Sequence, residues 1–240
     1  MTRTSDLSLF HKILVLTEDK GEIVLDDLKQ FGSTRQTLGA LGRLEGLKLI
    51  ERTKEEKRNV FTLTEKGDLV LADILGHLPD SEKNWDGKWR IILFDIPESK
   101  RTVRQMFRIK LLDFGARMLQ SSVWITPNKS VADKFYDLIM QTEFAHTVQF
   151  FEAKHFGNNA IDVLSLWQLD KLDKEYRELF KELDTQLKNL KKQKDISFTA
   201  KCMIVSLALV AKKDPHLPVE LMPKKWAGLE AEAWYKKIRP

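Results

Sequence analysis

The stretch Trp89–Lys100, WRIILFDIPESK, is an apolar run that closes on one carboxylate, Asp95, two residues before Pro97. An acid at a strand exit is where a metal-dependent phosphodiesterase can place a ligand for Mg²⁺ or Mn²⁺. Such a hard cation needs several oxygen ligands, and in-line phosphoryl chemistry often uses two metals. Glu98 is the only nearby acid, so the local sequence supplies an incomplete set. The competing reading is structural: a carboxylate that accepts backbone N–H groups at the turn, or pairs with an arginine. His11, His77, His146, His155 and His216 stand at no metal-ligand spacing. No phosphate-binding glycine loop, dinucleotide fingerprint or Ser/Cys nucleophile motif is present. The expectation is a non-enzyme without cofactor; catalysis at Asp95 with Mg²⁺ or Mn²⁺ is the alternative.

A second set of residues suits recognition. Ser33, Thr34, Arg35, Gln36 and Thr37 open an amphipathic helix. Arg and Gln can each make paired hydrogen bonds to a base edge, and Ser and Thr hydroxyls can fix phosphates. Arg43 lies further along the same helix, and Lys54, Lys57 and Arg58 surround a charged hairpin tip.

The elements that must hold these residues follow from periodicity. LSLFHKILVLTE has a helical apolar period, and IVLDDLKQFG reads as a short strand start and a brief helix closed by Gly32. In the next helix Leu38, Leu41, Leu44 and Leu47 recur every three residues. LIERTKEEKRNVFTLT divides into a two-stranded hairpin, and EKGDLVLADIL resumes as helix. That order is the plan of a winged helix-turn-helix, whose third helix enters the major groove N-terminus first. Residues 32–60 carry seven basic groups against four acids, although residues 1–80 as a whole carry 12 Lys/Arg and 14 Asp/Glu. Local placement, not the overall net charge of +5, supports double-stranded DNA as a partner.

Residues 77–88 read as a polar linker. Beyond it, WRIILFDI has apolar residues on both faces, as in a central strand covered on two sides. A helix from Ser99 to about Phe114 places Val103, Phe107, Leu111 and Phe114 on one face and Arg101, Arg104 and Arg108 on another. Two short strands, a helix near 130–143 and the strand HTVQFFEA complete a ferredoxin-like βαββαβ pattern. Helices cover one face of such a sheet, so a homodimer is the simplest cover for the other. A long helix, DVLSLWQLDKLDKEYRELFKELDTQLKNLKKQKD, with an apolar stripe from Leu169 to Leu190, and a nearly all-apolar one, SFTAKCMIVSLALVAKK, follow. Cys202 in the latter reads as a small core residue.

The segment WRIILFDIPESKRTVRQMFRIKLLDFGARMLQSSVWI resembles the central domain of the PaaX family of transcriptional repressors. That domain itself resembles the small CRISPR-adaptation nuclease, in which two symmetry-related aspartates are proposed to hold a divalent metal. Phe94-Asp95-Ile96 matches the nuclease motif, and Asp95 is the residue that carries over. The tail is similar to the family's close: Asp214-Pro215, Leu217-Pro218, Leu221-Met222-Pro223 and Trp226-Ala227-Gly228, with Ala227 where proline is usual. LWQLDKLDKEY resembles the opening of the family's C-terminal domain.

The resemblance implies a dimeric repressor that leaves its operator when a small effector binds. In phenylacetate-pathway members the effector is an aryl-acyl-CoA thioester, and no pattern here marks a CoA site. Lys188, Lys191, Lys192 and Lys194 read as a solvated helix end.

The resulting expectation is an α+β chain with a winged helix-turn-helix at 1–80, a ferredoxin-like dimerisation domain at 86–155 and a helical C-terminal domain at 160–240. No membrane partner is expected, because the longest nearly uncharged run, at 202–211, is too short to span a bilayer. With no leader pattern at the start and one cysteine, the reading is cytoplasmic.

Overall fold

A computed structural model describes residues 7–55, 58–76, 85–154, 163–190 and 195–239. Lys57, the linker residues 77–84, His155 and the lysines at 191, 192 and 194 lie outside the described residues. The chain is α+β, with two antiparallel sheets. It divides into two units: Met1–Pro79 with Lys174–Lys212 and Ala227–Pro240, and Asp80–Asp173 with Lys213–Trp226.

In the first unit, α1 (Leu9–Lys20) starts at Ser8, whose Oγ accepts from the His11 N–H, and stops at Gly21 with φ +80°. Strand β1 (Glu22–Val24) leads into a 3-10 turn over Leu25–Phe31, tighter than the brief α-helix that the sequence suggests. Gly32 then takes extended backbone rather than a left-handed cap. Helix α2 (Thr34–Gly46) is followed by β2 (Ile50–Glu55), β3 (Arg58–Leu63) and α3 (Glu65–Leu75). The sheet order is β1-β3-β2, with Ile50 opposite Leu63 and Glu55 opposite Arg58. Gly67 is required where α3 meets the strand entry, because a Cβ there would sit 2.2 Å from the Leu49 carbonyl oxygen.

The C-terminal segments are shared between the units. Helix α7 (Ile196–Ala211) contributes Val205 and Ala208 to the same core as Ile13, Leu14, Leu16, Leu41 and Leu44. Lys201 Nζ pairs with Glu18 at 2.7 Å and Asp19 at 2.8 Å, and Lys212 pairs with Asp73 at 2.8 Å. Helices α6 (Leu169–Asn189) and α8 (Ala231–Ile238) meet through Phe180 and Trp234, stacked at 5.2 Å. Residues 174–212 and 227–240 thus belong to the first unit. The segment 213–226 packs in the second unit, where Asn128 Nδ2 donates to the His216 carbonyl at 3.0 Å.

The second unit runs β4 (Trp89–Phe94), α4 (Arg101–Asp113), β5 (Arg117–Gln120), β6 (Val123–Thr126), α5 (Lys129–Met140) and β7 (Val148–Ala153). Its sheet order is β5-β6-β4-β7, so WRIILF occupies an inner strand as its two-sided apolarity implies. Beneath α4 and α5, Phe107 makes edge contacts with Phe94, Phe135 and Phe144. On the opposite face Trp89 lies between Trp85 and Trp167, and the Trp167 indole donates to the Gly115 carbonyl at 2.9 Å. Farther along that face Ile91 and Leu93 are half-buried and Phe151 is 50% exposed.

Candidate nucleic-acid interface

The start of α2 is built by a reciprocal cap. Ser33 Oγ accepts from the Gln36 N–H, while Gln36 Oε1 accepts from the Ser33 N–H at 3.0 Å and from its hydroxyl at 2.9 Å. Two otherwise orphaned donors are satisfied, which holds the first turn rigid. The same bonds occupy the Gln36 carbonyl, half of what it would bring to an adenine edge. Thr37 turns inward: it is 2% exposed and its hydroxyl donates to the Thr34 carbonyl at 2.9 Å. The sequence placed Thr37 among groove-facing residues; the helix instead uses it to seat its first turn.

Thr34 and Arg35 are exposed at this capped end. Arg43, two turns on, is also exposed, and its guanidinium stands 5.4 Å over the Phe10 ring, an arrangement that fixes its direction. Burial and the Arg43 charge together push the His11 pKa below its ordinary value. Lys54 and Arg58 are exposed on the hairpin, where Arg58 lies opposite Glu55 and shares its local field with that acid. Arg52 is drawn to Glu45 at 3.3 Å. The predicted residues thus divide into an outward set (Thr34, Arg35, Arg43, Lys54, Arg58), a capping pair (Ser33, Gln36) and a buried anchor (Thr37).

The outer side of α2 also contains residues that a three-residue leucine count conceals. Steps of three fall behind the 3.6-residue turn, so only Leu41 and Leu44 are buried; Leu38 is 50% and Leu47 is 44% exposed. Beside Leu38, Gly39 and Gly42 face open space, and a Cβ added at either would meet nothing within 4 Å. Each glycine costs the helix about 1 kcal/mol relative to alanine, with no packing among the described residues to explain it. Counting a 3.6 period would have revealed this side.

Asp95 is exposed just beyond β4, and its backbone N–H donates to the Thr147 carbonyl at 3.0 Å. Glu98, the nearest acid, is ion-paired with Arg104. Among the described residues no three His, Cys, Asp or Glu side chains are grouped to hold a metal ion. A divalent ion of the nuclease kind therefore does not fit the donor set around Asp95 in one chain. Two arginines of α4 also diverge in use: Arg104 meets Glu98, while Arg108 reaches the Met118 sulfur and the Ser121 carbonyl. Burial pushes the Cys202 thiol up to about 12, so it stays protonated and unreactive at neutral pH.

Two family models match this chain. The PaaX protein central Cas2-like domain matches residues 82–163, and the PaaX-like protein C-terminal domain matches residues 167–240. The chain belongs to the PaaX family. It is 25% identical to the Transcriptional repressor PaaX of Escherichia coli strain K12 over 217 residues, covering 84% of this chain and 68% of that protein. A solved structure, the uncharacterized protein Rv0674 from Mycobacterium tuberculosis, superposes with a TM-score of 0.56 at 18% identity. That match covers 96% of this chain and 94% of the other, and it supports the fold alone. Within the PaaX family the repressor match supports a role in transcription regulation. Among the described residues no helix is long and apolar enough to cross a membrane.

Proposed function

We propose that this PaaX-family chain is a dimeric transcriptional repressor that holds double-stranded DNA with α2 and the β2–β3 hairpin of a winged helix-turn-helix. A small effector controls that grip. The observation that carries the reading is the capped start of α2, which presents Thr34 and Arg35 outward on a rigid first turn, with Lys54 and Arg58 on the adjoining hairpin. Arg35 is the residue for a guanine edge, and the hairpin cations serve phosphates. The β5-β6-β4-β7 sheet, with its strand-helix-strand-strand-helix-strand order, is read as the ferredoxin-like body through which two copies pair. Its partly open face, with Ile91, Leu93 and Phe151, is the pairing surface.

The test is binding-site selection from genomic DNA with the purified chain, followed by titration at several salt concentrations. The expected result is a palindromic site with half-sites spaced by helical turns and affinity that falls as salt rises. Arg35→Ala weakens binding to the selected site by about 5- to 150-fold, the equivalent of one bidentate base contact. Unchanged site choice in that variant, or no duplex retained at low salt, refutes the reading.

A further inference from the structure

Arg35, Leu38, Gly39 and Gly42 occupy one outward arc of α2, about 100° wide at the helical repeat. Arg35 supplies a guanidinium and Leu38 a half-exposed isobutyl group one turn later. The two glycines leave the backbone bare between these side chains and the C-terminal half of the helix, with free space above them. Neither glycine has a positive φ, so turn geometry does not demand them. Nor does a neighbour among the described residues, since none of them lies within 4 Å of the missing Cβ atoms. A surface that gives up helix stability with no return from the described residues is explained by what approaches from outside. The locally basic stretch 32–60 sets the sign of that partner as negative.

We propose that Leu38 is a specificity-determining residue that packs on the 5-methyl group of a thymine in the major groove, and that Gly39 and Gly42 let α2 come close enough for this contact. The inference rests on the reading of α2 as the DNA-facing helix. A thymine methyl is the one apolar feature of a major-groove base edge, so an exposed aliphatic side chain beside a base-reading arginine matches it. A β-carbon at 39 or 42 would stand between the helix backbone and the groove, and would lift Leu38 off the base.

The full chain and its selected duplex test this. Gly42→Ala raises the melting temperature by about 2–4 °C, because alanine favours the helix and has room. The same change weakens binding to the selected site by about tenfold or more and leaves binding to a random duplex within about twofold. Deoxyuridine, which lacks the methyl, is then placed at each thymine of the site in turn. Wild type loses about fivefold at one position, and Leu38→Ala loses nothing further there. Tight binding by Gly42→Ala, or methyl sensitivity that survives Leu38→Ala, overturns this inference alone. A wild type that selects no site overturns the DNA-facing reading of α2 and this inference with it.

Discussion

Arg90 is 4% exposed, so its charge depends on partners inside the second unit. Its guanidinium donates to the Lys88 carbonyl at 3.0 Å and the Pro127 carbonyl at 2.9 Å, and both terminal nitrogens bind the Asp86 carboxylate. Glu152 is farther away, at 3.6 Å. The hydrogen bonds from Arg90 hold the Asp86 carboxyl down from 3.8 to about 2. At about 1.36 kcal/mol per pH unit, that drop sets a ceiling of about 2.5 kcal/mol on the linked stability. Asp86 is itself 45% exposed, and solvent screening reduces the figure to about 1 kcal/mol. Because the folded pKa lies below the unfolded one, the contribution is complete above about pH 4 and disappears as pH falls through about 2. Asp86→Asn should therefore be about 1 kcal/mol less stable than wild type at pH 7 and approach it as pH falls below about 2. Urea unfolding followed by tryptophan fluorescence reads the difference, since Trp85 directly precedes Asp86 and Trp89 directly precedes Arg90. Equal stability at pH 7, or a gap that does not shrink as pH falls from 7 through 2, refutes the reasoning.

Two further outcomes follow from packing. Phe151→Glu, on the half-open sheet face, should leave the fold within about 0.5 kcal/mol of wild type and convert the proposed dimer to monomer in sedimentation velocity; an unchanged mass counts against that face. A fragment of residues 1–80 should melt well below the full chain by circular dichroism, because it lacks Val205, Ala208 and Phe198 of α7. Large apolar side chains contribute about 1.5–3 kcal/mol each on burial, a large share for so small a domain. A fragment melting at the full chain's temperature would mean that α7 is dispensable.

Legibility in the sequence depended on the range of each interaction. The two-faced apolarity of WRIILF correctly placed it inside a sheet, because alternation is a local property of the strand. SFTAKCMIVSLALVAKK was recognisable as a buried helix for the same reason, yet nothing local says that its core partners are Ile13, Leu14 and Leu44, more than 150 residues away. At the candidate interface the sequence allowed a cap at Ser33 or Thr34, of which the helix uses Ser33, but the inward turn of Thr37 was not readable. Thr37 is polar, so composition favours exposure, and only the helix phase relative to Leu41 and Leu44 buries it. Asp95 was conspicuous as a lone acid after an apolar run; its incomplete surroundings became concrete when Glu98 was found paired with Arg104.

The docking of α7 also explains a local conflict in α1. Glu18 and Asp19 occupy the last turn of that helix, where the macrodipole disfavours negative charge. Lys201 offsets both, and Ser197 donates a further hydrogen bond to Asp19 at 2.7 Å. The lysine and the hydroxyl together hold the Asp19 carboxyl below its ordinary range despite the opposing effect of burial. The end of α1 is thus completed by a helix from the far end of the chain, while α1 itself packs against α2. Displacement of α7 would return two acids to an unfavourable helix end and expose apolar groups of the core that also holds Leu41 and Leu44. The seating of α2, the helix proposed to read DNA, therefore depends on α7 through α1 and their shared core.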